Sequence, residues 1–365
     1  MQPLLFSLSR FRWYVLNLLS YTRNLRHRGR VSSRPVLFDI QDNQFHRYLT
    51  IFMHFLEIEG YSIHIRWRNG LLTSWATREL FRQIKGIKLH CSDRKTPYQG
   101  WVFSDRHLGR PHILLDPDYF SEDLDPMSTY KLPMPMVDTF YMDRTHDRPA
   151  LDPTLTRERG AFFFGNMDPD HYERPEIAEA FGCLTRAALL RTLRHELPHK
   201  VKEPATLEDA HVEGSRTIVV MDRRKRYIKP DELRPVLERF DFFLALPGVV
   251  MPLCHNLVEA MSVGCIPIIQ YAHLLDPPLR HTHDCLSFSS AEDLIDLLSQ
   301  LADMSALDIQ QMRGDVTSYF HKHLTPSAVI GELERRGAGL KRIKMNAEWP
   351  STELLLARQR SERTA

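Results

Sequence analysis

The chain is short of cysteine, of long apolar runs and of net charge, and each shortage removes a class of protein. Five cysteines stand among 365 residues, at positions 91, 183, 254, 265 and 285, and no two form a CxxC pair. An odd, scattered set excludes a disulfide framework or a zinc site and points to a reducing compartment. No apolar run approaches the ~20 residues of a membrane-spanning helix. Near the N-terminus, Arg10 and Arg12 interrupt the core that a signal peptide would need. Net charge is only +2, which gives no reason to invoke nucleic acid. A Walker Gly-Lys-Ser/Thr and a G-x-S-x-G are both missing, so NTPase and simple esterase chemistry lack support. Neither a solenoid repeat nor a low-complexity tract is found.

What is there is a globular composition, 43% apolar and 26% charged, over a length that buries two cores. Residues 1–30 carry Arg10, Arg12, Arg23, Arg26, Arg28 and Arg30 and no acid. In the same stretch Leu4, Leu5, Leu8, Phe11, Val15, Leu18, Leu19 and Leu25 fall near one helical face. This predicts an amphipathic helix that either touches anionic lipid or packs its apolar face on the body. RPVLFDI, from residue 34, reads as a strand. QDNQ follows as a loop in which Asp42 or Asn43 can cap a helix ending at Gly60. YSIHIRW, IKLHCS, WVFSD and PHILLD read as further strands. The prolines of 132–136 keep that stretch extended, and 137–157 reads as a hinge.

GAFFFGNMD opens a second strand series, in which 175–197 reads as one long helix. RTIVVMD is another strand, followed by the basic RRKRYIKP. FDFFLAL, 240–246, suits a buried strand. Pro247-Gly248 turns the chain, and Leu253, Leu257, Ala260 and Met261 follow with helical spacing. Gly264 ends that helix in a left-handed cap, and CIPII returns as a strand. Strand, loop, helix, strand is the crossover of a parallel sheet, and ligands bind such sheets beyond the strands' carboxyl ends. That places 247–256 and Glu259 at a site entrance. CLSFSS is a last short strand, Ser289 or Ser290 caps the next helix, and the tail from 337 reads as loosely ordered.

The combination LPG, EAM and GCIPI at these spacings resembles the donor-binding signature of exostosin-like glycosyltransferases. More loosely it resembles other glycosyltransferases with two Rossmann domains, the GT-B type. The resemblance is sharp over about 30 residues and architectural elsewhere. One position departs from it: where exostosins carry Arg three residues before the Glu, this chain has Asn256, preceded by His255. The resemblance implies an α/β fold of two Rossmann-like domains facing a central cleft, preceded by the N-terminal amphipathic helix. Its parts would be a basic segment 1–33, an acceptor domain 34–136, the hinge 137–157, a nucleotide-sugar-binding domain 158–336 and a tail 337–365. It also implies helices near the end of the chain that cross back to the first domain.

Within that frame the residue chemistry supplies roles. A carboxylate at Glu259 can accept from both hydroxyls of a ribose, or simply complement its own helix start. His255 and Asn256 can donate to phosphate oxygens, or cap the helix. Of the run Arg223–Arg226, Arg224 and Lys225 are the choices for stabilising a leaving diphosphate without a metal. Gly165 and Asn166 close the first strand of that domain, where a glycine lets backbone amides approach a phosphate. A general base that takes the acceptor's proton is sought after the first strand, at Asp39, Asp42 or His46, and Asp42 is preferred. Asp116-Pro117-Asp118, Asp168-Pro169-Asp170 and Asp222 imitate a metal-binding DxD but also suit turns and helix caps. The His281/His283 and His321/His323 pairs lack a third ligand at zinc spacing, so neither metal nor cofactor is expected.

The expected activity is transfer of a sugar from a nucleotide-sugar donor to a hydroxyl of a glycan or glycolipid, in surface polysaccharide synthesis. The expected place is the cytoplasm, peripheral to the inner face of the membrane through residues 1–30. Three other readings stay open: a fucosyltransferase-like enzyme using a GDP-sugar, a GT-B-like scaffold that has lost catalysis, and a lipid-surface interaction protein.

Overall fold

Two parallel sheets organise the chain in the computed structural model, which describes residues 2–24, 34–90, 100–122, 125–142, 157–206, 209, 217–226 and 228–364. Unit 1 comprises residues 1–132 and 326–358, and unit 2 comprises 133–325 and 359–365. The fold class is α/β, two Rossmann-like units with helices flanking each sheet.

The sheet of unit 1 contains β1 (Pro35–Asp39), β2 (Ser62–Arg66), β3 (Lys88–His90), β4 (Val102–Ser104), β5 (Ile113–Asp116) and β6 (Thr129–Lys131). A seventh strand, Arg342–Lys344, lies between β5 and β6, so the order is β3-β2-β1-β4-β5-(342–344)-β6. Every pairing is parallel, with Phe38 facing Ile65 on one side and Phe103 on the other. The apolar strands are buried because helices cover the sheet. Helix Arg47–Ile58 buries Tyr48 through Leu56 without interruption. Gly60 then takes φ 84°, which lets the chain turn into β2.

The C-terminal tail departs from its expected looseness. Residues 342–344 complete the sheet of unit 1, and helices Pro326–Arg336 and Trp349–Thr364 flank the new strand in sequence. Residues 326–336, expected in the second domain, belong to unit 1, while 133–136, expected in the first, belong to unit 2. Pattern along the chain cannot reveal such a return, because a three-residue strand carries almost no periodicity of its own.

Gln2–Asn24 is a helix, but among its described side chains the buried ones are the polar Asn17, Ser20 and Asn24, with Tyr14 and Tyr21 half-buried against Trp67 and Phe81. Asn17 donates to the carbonyls of Leu72 and Ser74 at 2.7 and 2.9 Å. Asn24 donates to Phe81 O at 2.8 Å and accepts from Ile87 N at 3.2 Å. These amides satisfy orphan groups at the ends of helices Asn69–Thr73 and Ala76–Gln83. The apolar residues Leu8, Phe11, Val15, Leu18 and Leu19 are exposed instead. Leu4 and Leu5 side chains, Leu25 and Arg26 to Arg30 lie outside the described residues. Among the described residues, no helix is long and apolar enough to cross a membrane.

In unit 2 the strands are β7 (Glu158–Gly165), β8 (Val201–Lys202), β9 (Ile218–Asp222), β10 (Phe240–Ala245), β11 (Ile266–Ile269) and β12 (Leu286–Ser287). Their order is β12-β11-β10-β7-β9-β8, again parallel throughout. The single helix expected over 175–197 is two, Pro175–Phe181 and Arg186–Glu196. Gly182 separates them in a left-handed conformation, φ 62°, and Thr185 caps the second by accepting from Ala188 N. Gly264 has φ 72°, as the end of helix His255–Met261 requires. Of the expected hinge 137–157, residues 138–142 form a short helix and 143–156 lie outside the described residues.

Candidate functional site

Each sheet has a place where neighbouring strands connect onward in opposite directions. In unit 2 it lies between β7 and β10, and in unit 1 between β1 and β4. Loops leave in opposite directions there, opening a crevice at the carboxyl edge.

In unit 2 the crevice is built on Arg186, a buried side chain that none of the motifs singled out. Its Nε donates to Pro247 O at 2.8 Å, Nη1 to Asn166 O at 2.8 Å and Nη2 to Leu246 O at 3.3 Å. The Tyr172 ring lies 3.9 Å from its guanidinium carbon, a cation–π contact. One guanidinium thereby fixes the carbonyls that leave β7 and β10. Gly165 must be glycine here: a Cβ would sit 2.7 Å from the Phe163 ring and 3.4 Å from Arg186 Nη1. At Gly248 a Cβ would meet Met251 O at 2.4 Å, and its N–H donates to Pro252 O at 3.1 Å, closing the turn. Tyr172, Arg174, Cys183, Thr185, Pro247 and Gly248 line a recess beside this turn. Burial raises the Tyr172 hydroxyl and pushes the Cys183 thiol up to about 11, so both are neutral at physiological pH.

Helix His255–Met261 follows the turn. Asn256 Nδ2 donates to Phe164 O at 3.1 Å, while its Oδ1 is buried without a partner. His255 Nδ1 donates to Pro135 O at 2.7 Å. Glu259 is 5% exposed, and its Oε1 accepts from Val137 N at 3.2 Å. Burial raises its carboxyl to about 7, against the opposing pull of the Val137 N–H and of Arg223. Near neutral pH it therefore exists both as an acceptor-only carboxylate and as an acid with one O–H donor.

Arg224 is less open than its sequence position suggests. It binds Asp222 through Nε and Nη2 and reaches Asp168 Oδ2 at 3.1 Å through Nη1. Burial works against ionising Asp222, but the hydrogen bonds and charge of Arg224, with the Met167 N–H, together outweigh it and hold the carboxyl low. Lys225 is exposed, and its N–H donates to Asp222 O. The acids of another DxD-like pair also have partners: Asp116 meets Arg342 at 3.2 Å, and Asp118 pairs with Arg358.

In unit 1, Asp42 does not cap the following helix, whose N-cap is His46 with no side-chain bond. Asp42 N donates instead to Asp105 Oδ2 at 2.9 Å, and its carboxylate is exposed. A Cβ at Gly70 would lie 2.2 Å from Gln41 O and 2.4 Å from Asp42 Oδ1, so glycine there lets two loops touch. Asp39 is buried under arginines and has no open face from which to take a proton. His46 stacks on Trp75 at 5.4 Å, and its burial lowers its pKa.

The structure thus gathers Gly165, Asn166, Gly248 and Asn256 around one crevice in unit 2. His255 and Glu259 sit together on the 135–137 backbone, and Arg224 leans on two carboxylates. Sequence reasoning missed Arg186 and the arginines of unit 1. The available signal was arginine immediately after strands, in WRNG and SDRHLGR.

No family model and no curated protein sequence matches the chain. Among solved structures it is similar to Anabaena HepE in complex with UDP, with 8% identity, 84% of this chain and 100% of that one covered, and TM-score 0.42. It is also similar to an α1,3-fucosyltransferase with GDP-fucose, with 12% identity, 88% and 96% covered, and TM-score 0.39. A third is the spinosyn rhamnosyltransferase SpnG complexed with thymidine diphosphate, with 12% identity, 89% and 81% covered, and TM-score 0.30.

Proposed function

We propose that the chain is a metal-independent glycosyltransferase whose unit 2 binds the nucleoside diphosphate of a sugar donor. The observation that carries this reading is the built crevice at the β7/β10 reversal, where Pro247 and Gly248 of the LPG motif line a recess and the helix carrying EAM follows the turn. Asn256 Oδ1 supplies an acceptor, and the Gly165-Asn166 and Pro247-Gly248 turns supply close backbone approach. Glu259 takes the ribose hydroxyls in this reading. His255 donates to a phosphate oxygen, and Arg224 and Lys225 offset charge on the leaving diphosphate. In unit 1, Asp42 is the general base for the acceptor hydroxyl, as an exposed carboxylate in the loop after β1. The acceptor is a glycan or glycolipid of a surface polysaccharide.

The exposed apolar face of helix Gln2–Asn24, flanked by Arg10, Arg12 and Arg23, supports a second element of the proposal. That helix lies on an anionic membrane surface, apolar side down, its arginines at the headgroups. A GDP-sugar is the alternative donor, and a scaffold without catalysis the alternative to transfer.

The test is release of nucleoside diphosphate from UDP-, GDP-, CDP- and ADP-sugars, with and without EDTA. Turnover of one class, insensitive to EDTA and lost in Glu259→Ala and Asp42→Ala, is expected. No turnover with retained nucleotide binding moves the reading to the scaffold.

A further inference from the structure

The reversal point of unit 1 holds a cluster that the donor chemistry does not use. Asp39 ends β1 and is 1% exposed. Arg68 clamps it, Nε to Oδ1 at 2.8 Å and Nη2 to Oδ2 at 3.1 Å. Arg106 Nη2 reaches Oδ1 at 2.9 Å, Arg110 Nη2 reaches Oδ2 at 3.2 Å and Arg66 Nε reaches Oδ2 at 3.2 Å. These arginines come from three places: the end of β2 and the loop after it, the loop after β4, and the approach to β5. One carboxylate charge is divided among four guanidiniums. Arg106 also meets Asp105 at 3.5 Å, but Asp105 already accepts from the N–H groups of Gln41 and Asp42.

Burial alone would raise the Asp39 carboxyl, and the arginines, Arg68 foremost, hold it below its usual range instead. Asp39 is therefore a fixed anion that tethers the arginine stems. The side chains of Arg106 and Arg110 remain 33% and 32% exposed at the crevice. A structural ion pair needs one guanidinium, or two. Four drawn onto one buried carboxylate, two of them opening to solvent at a reversal point, form a preorganised receptor for a second anion.

We propose that Arg106 and Arg110, positioned by Asp39, bind a phosphate group in unit 1. Planar guanidiniums offer paired donors to tetrahedral oxyanions, and tethering removes much of the entropy cost of holding them. Calling that phosphate part of the acceptor rests on the transferase reading; the anion site itself does not. The acceptor is then a phosphorylated sugar or a phosphate-linked lipid.

The experiment is calorimetric titration of the full chain with inorganic pyrophosphate, for wild type and the Arg106→Gln/Arg110→Gln double variant. The same two proteins are titrated with nucleoside diphosphates. At least about tenfold weaker pyrophosphate binding in the double variant, with unchanged nucleoside diphosphate binding, is expected. Equal pyrophosphate affinity in both proteins overturns the proposal, and loss of nucleoside diphosphate binding in wild type sinks only the donor reading. Should the double variant fail to fold, phenylglyoxal modification of wild type decides. Pyrophosphate must then protect the peptides carrying Arg106 and Arg110, and unprotected peptides contradict the site. Displacement of pyrophosphate by glucose 6-phosphate assigns a soluble acceptor, and displacement only by phosphatidic acid vesicles assigns a lipid one. Displacement by neither refutes a phosphate-bearing acceptor.

Discussion

The two reversal points are electrostatic opposites. In unit 1 a buried aspartate gathers arginines from the surrounding loops; in unit 2 a buried arginine gathers backbone carbonyls. Both devices fix loops at the carboxyl edge of a parallel sheet, where backbone groups would otherwise lack partners. The difference lies in what remains over. Around Asp39 there is positive charge facing outward, suited to an anion. Around Arg186 the charge is absorbed by carbonyls, so the crevice offers shaped backbone beside a buried Asn256 oxygen, and in the proposed reading the diphosphate charge is met by His255, Arg224 and Lys225 instead.

Exchanging the two nuclei for neutral residues gives the largest expected effects. Arg186→Met leaves three carbonyls without their donor, and a loss of ~3 kcal/mol or more is expected in urea unfolding. Asp39→Asn leaves the buried Arg66 and the partly exposed Arg68, Arg106 and Arg110 without their shared anion, with a loss at the lower end of about 3–5 kcal/mol. The pH dependence carries its own sign. Asp39 lies below its ordinary 3.8, so its contribution is present above that value and disappears as pH falls through the folded pKa. Wild type should therefore lose stability on the acid side more steeply than Asp39→Asn.

A smaller effect tests the loop contacts. Gly70→Ala drives a Cβ into Gln41 O and Asp42 and is expected to cost about 1–3 kcal/mol, whereas Gly109→Ala meets nothing within 4 Å and should not lower Tm.

Glu259 provides the opposite sign to Asp39. Its carboxyl rises from 4.5 to about 7, so the protonated form is favoured in the fold. Its contribution is complete below pH 4.5 and is lost as pH rises through 7. A Tm decline between pH 6 and pH 8 in wild type, flattened in Glu259→Gln, is expected from scanning calorimetry. The smallest stability effect is reserved for the exposed helix face: Phe11→Ser and Leu19→Ser should change Tm by less than about one degree while weakening sedimentation with anionic vesicles.

The strands and the β10–β11 crossover were legible because buried parallel strands read as apolar runs and because Gly264 marks a helix end. The tail was not, since residues 342–344 join unit 1 through pairing with β5 and β6 that no local pattern encodes. Helix Gln2–Asn24 was legible as a helix and not in orientation: Asn17 and Asn24 turn inward because they satisfy helix ends 55 to 60 residues away in sequence. At the candidate site, Gly165 and Gly248 were readable as turn glycines. Arg186 was not, because an arginine whose partners are carbonyls leaves no acidic mate to find in the sequence. Arg66, Arg68, Arg106 and Arg110 were visible only as scattered basic residues until the sheet order brought their loops together.

The central claim is a metal-independent nucleotide site in unit 2, and calorimetric binding of UDP, GDP, CDP and ADP to wild type and Glu259→Ala tests it most directly. Selective binding of one diphosphate, unchanged by EDTA and lost in the variant, is the predicted result. Absence of binding by all four would contradict the claim.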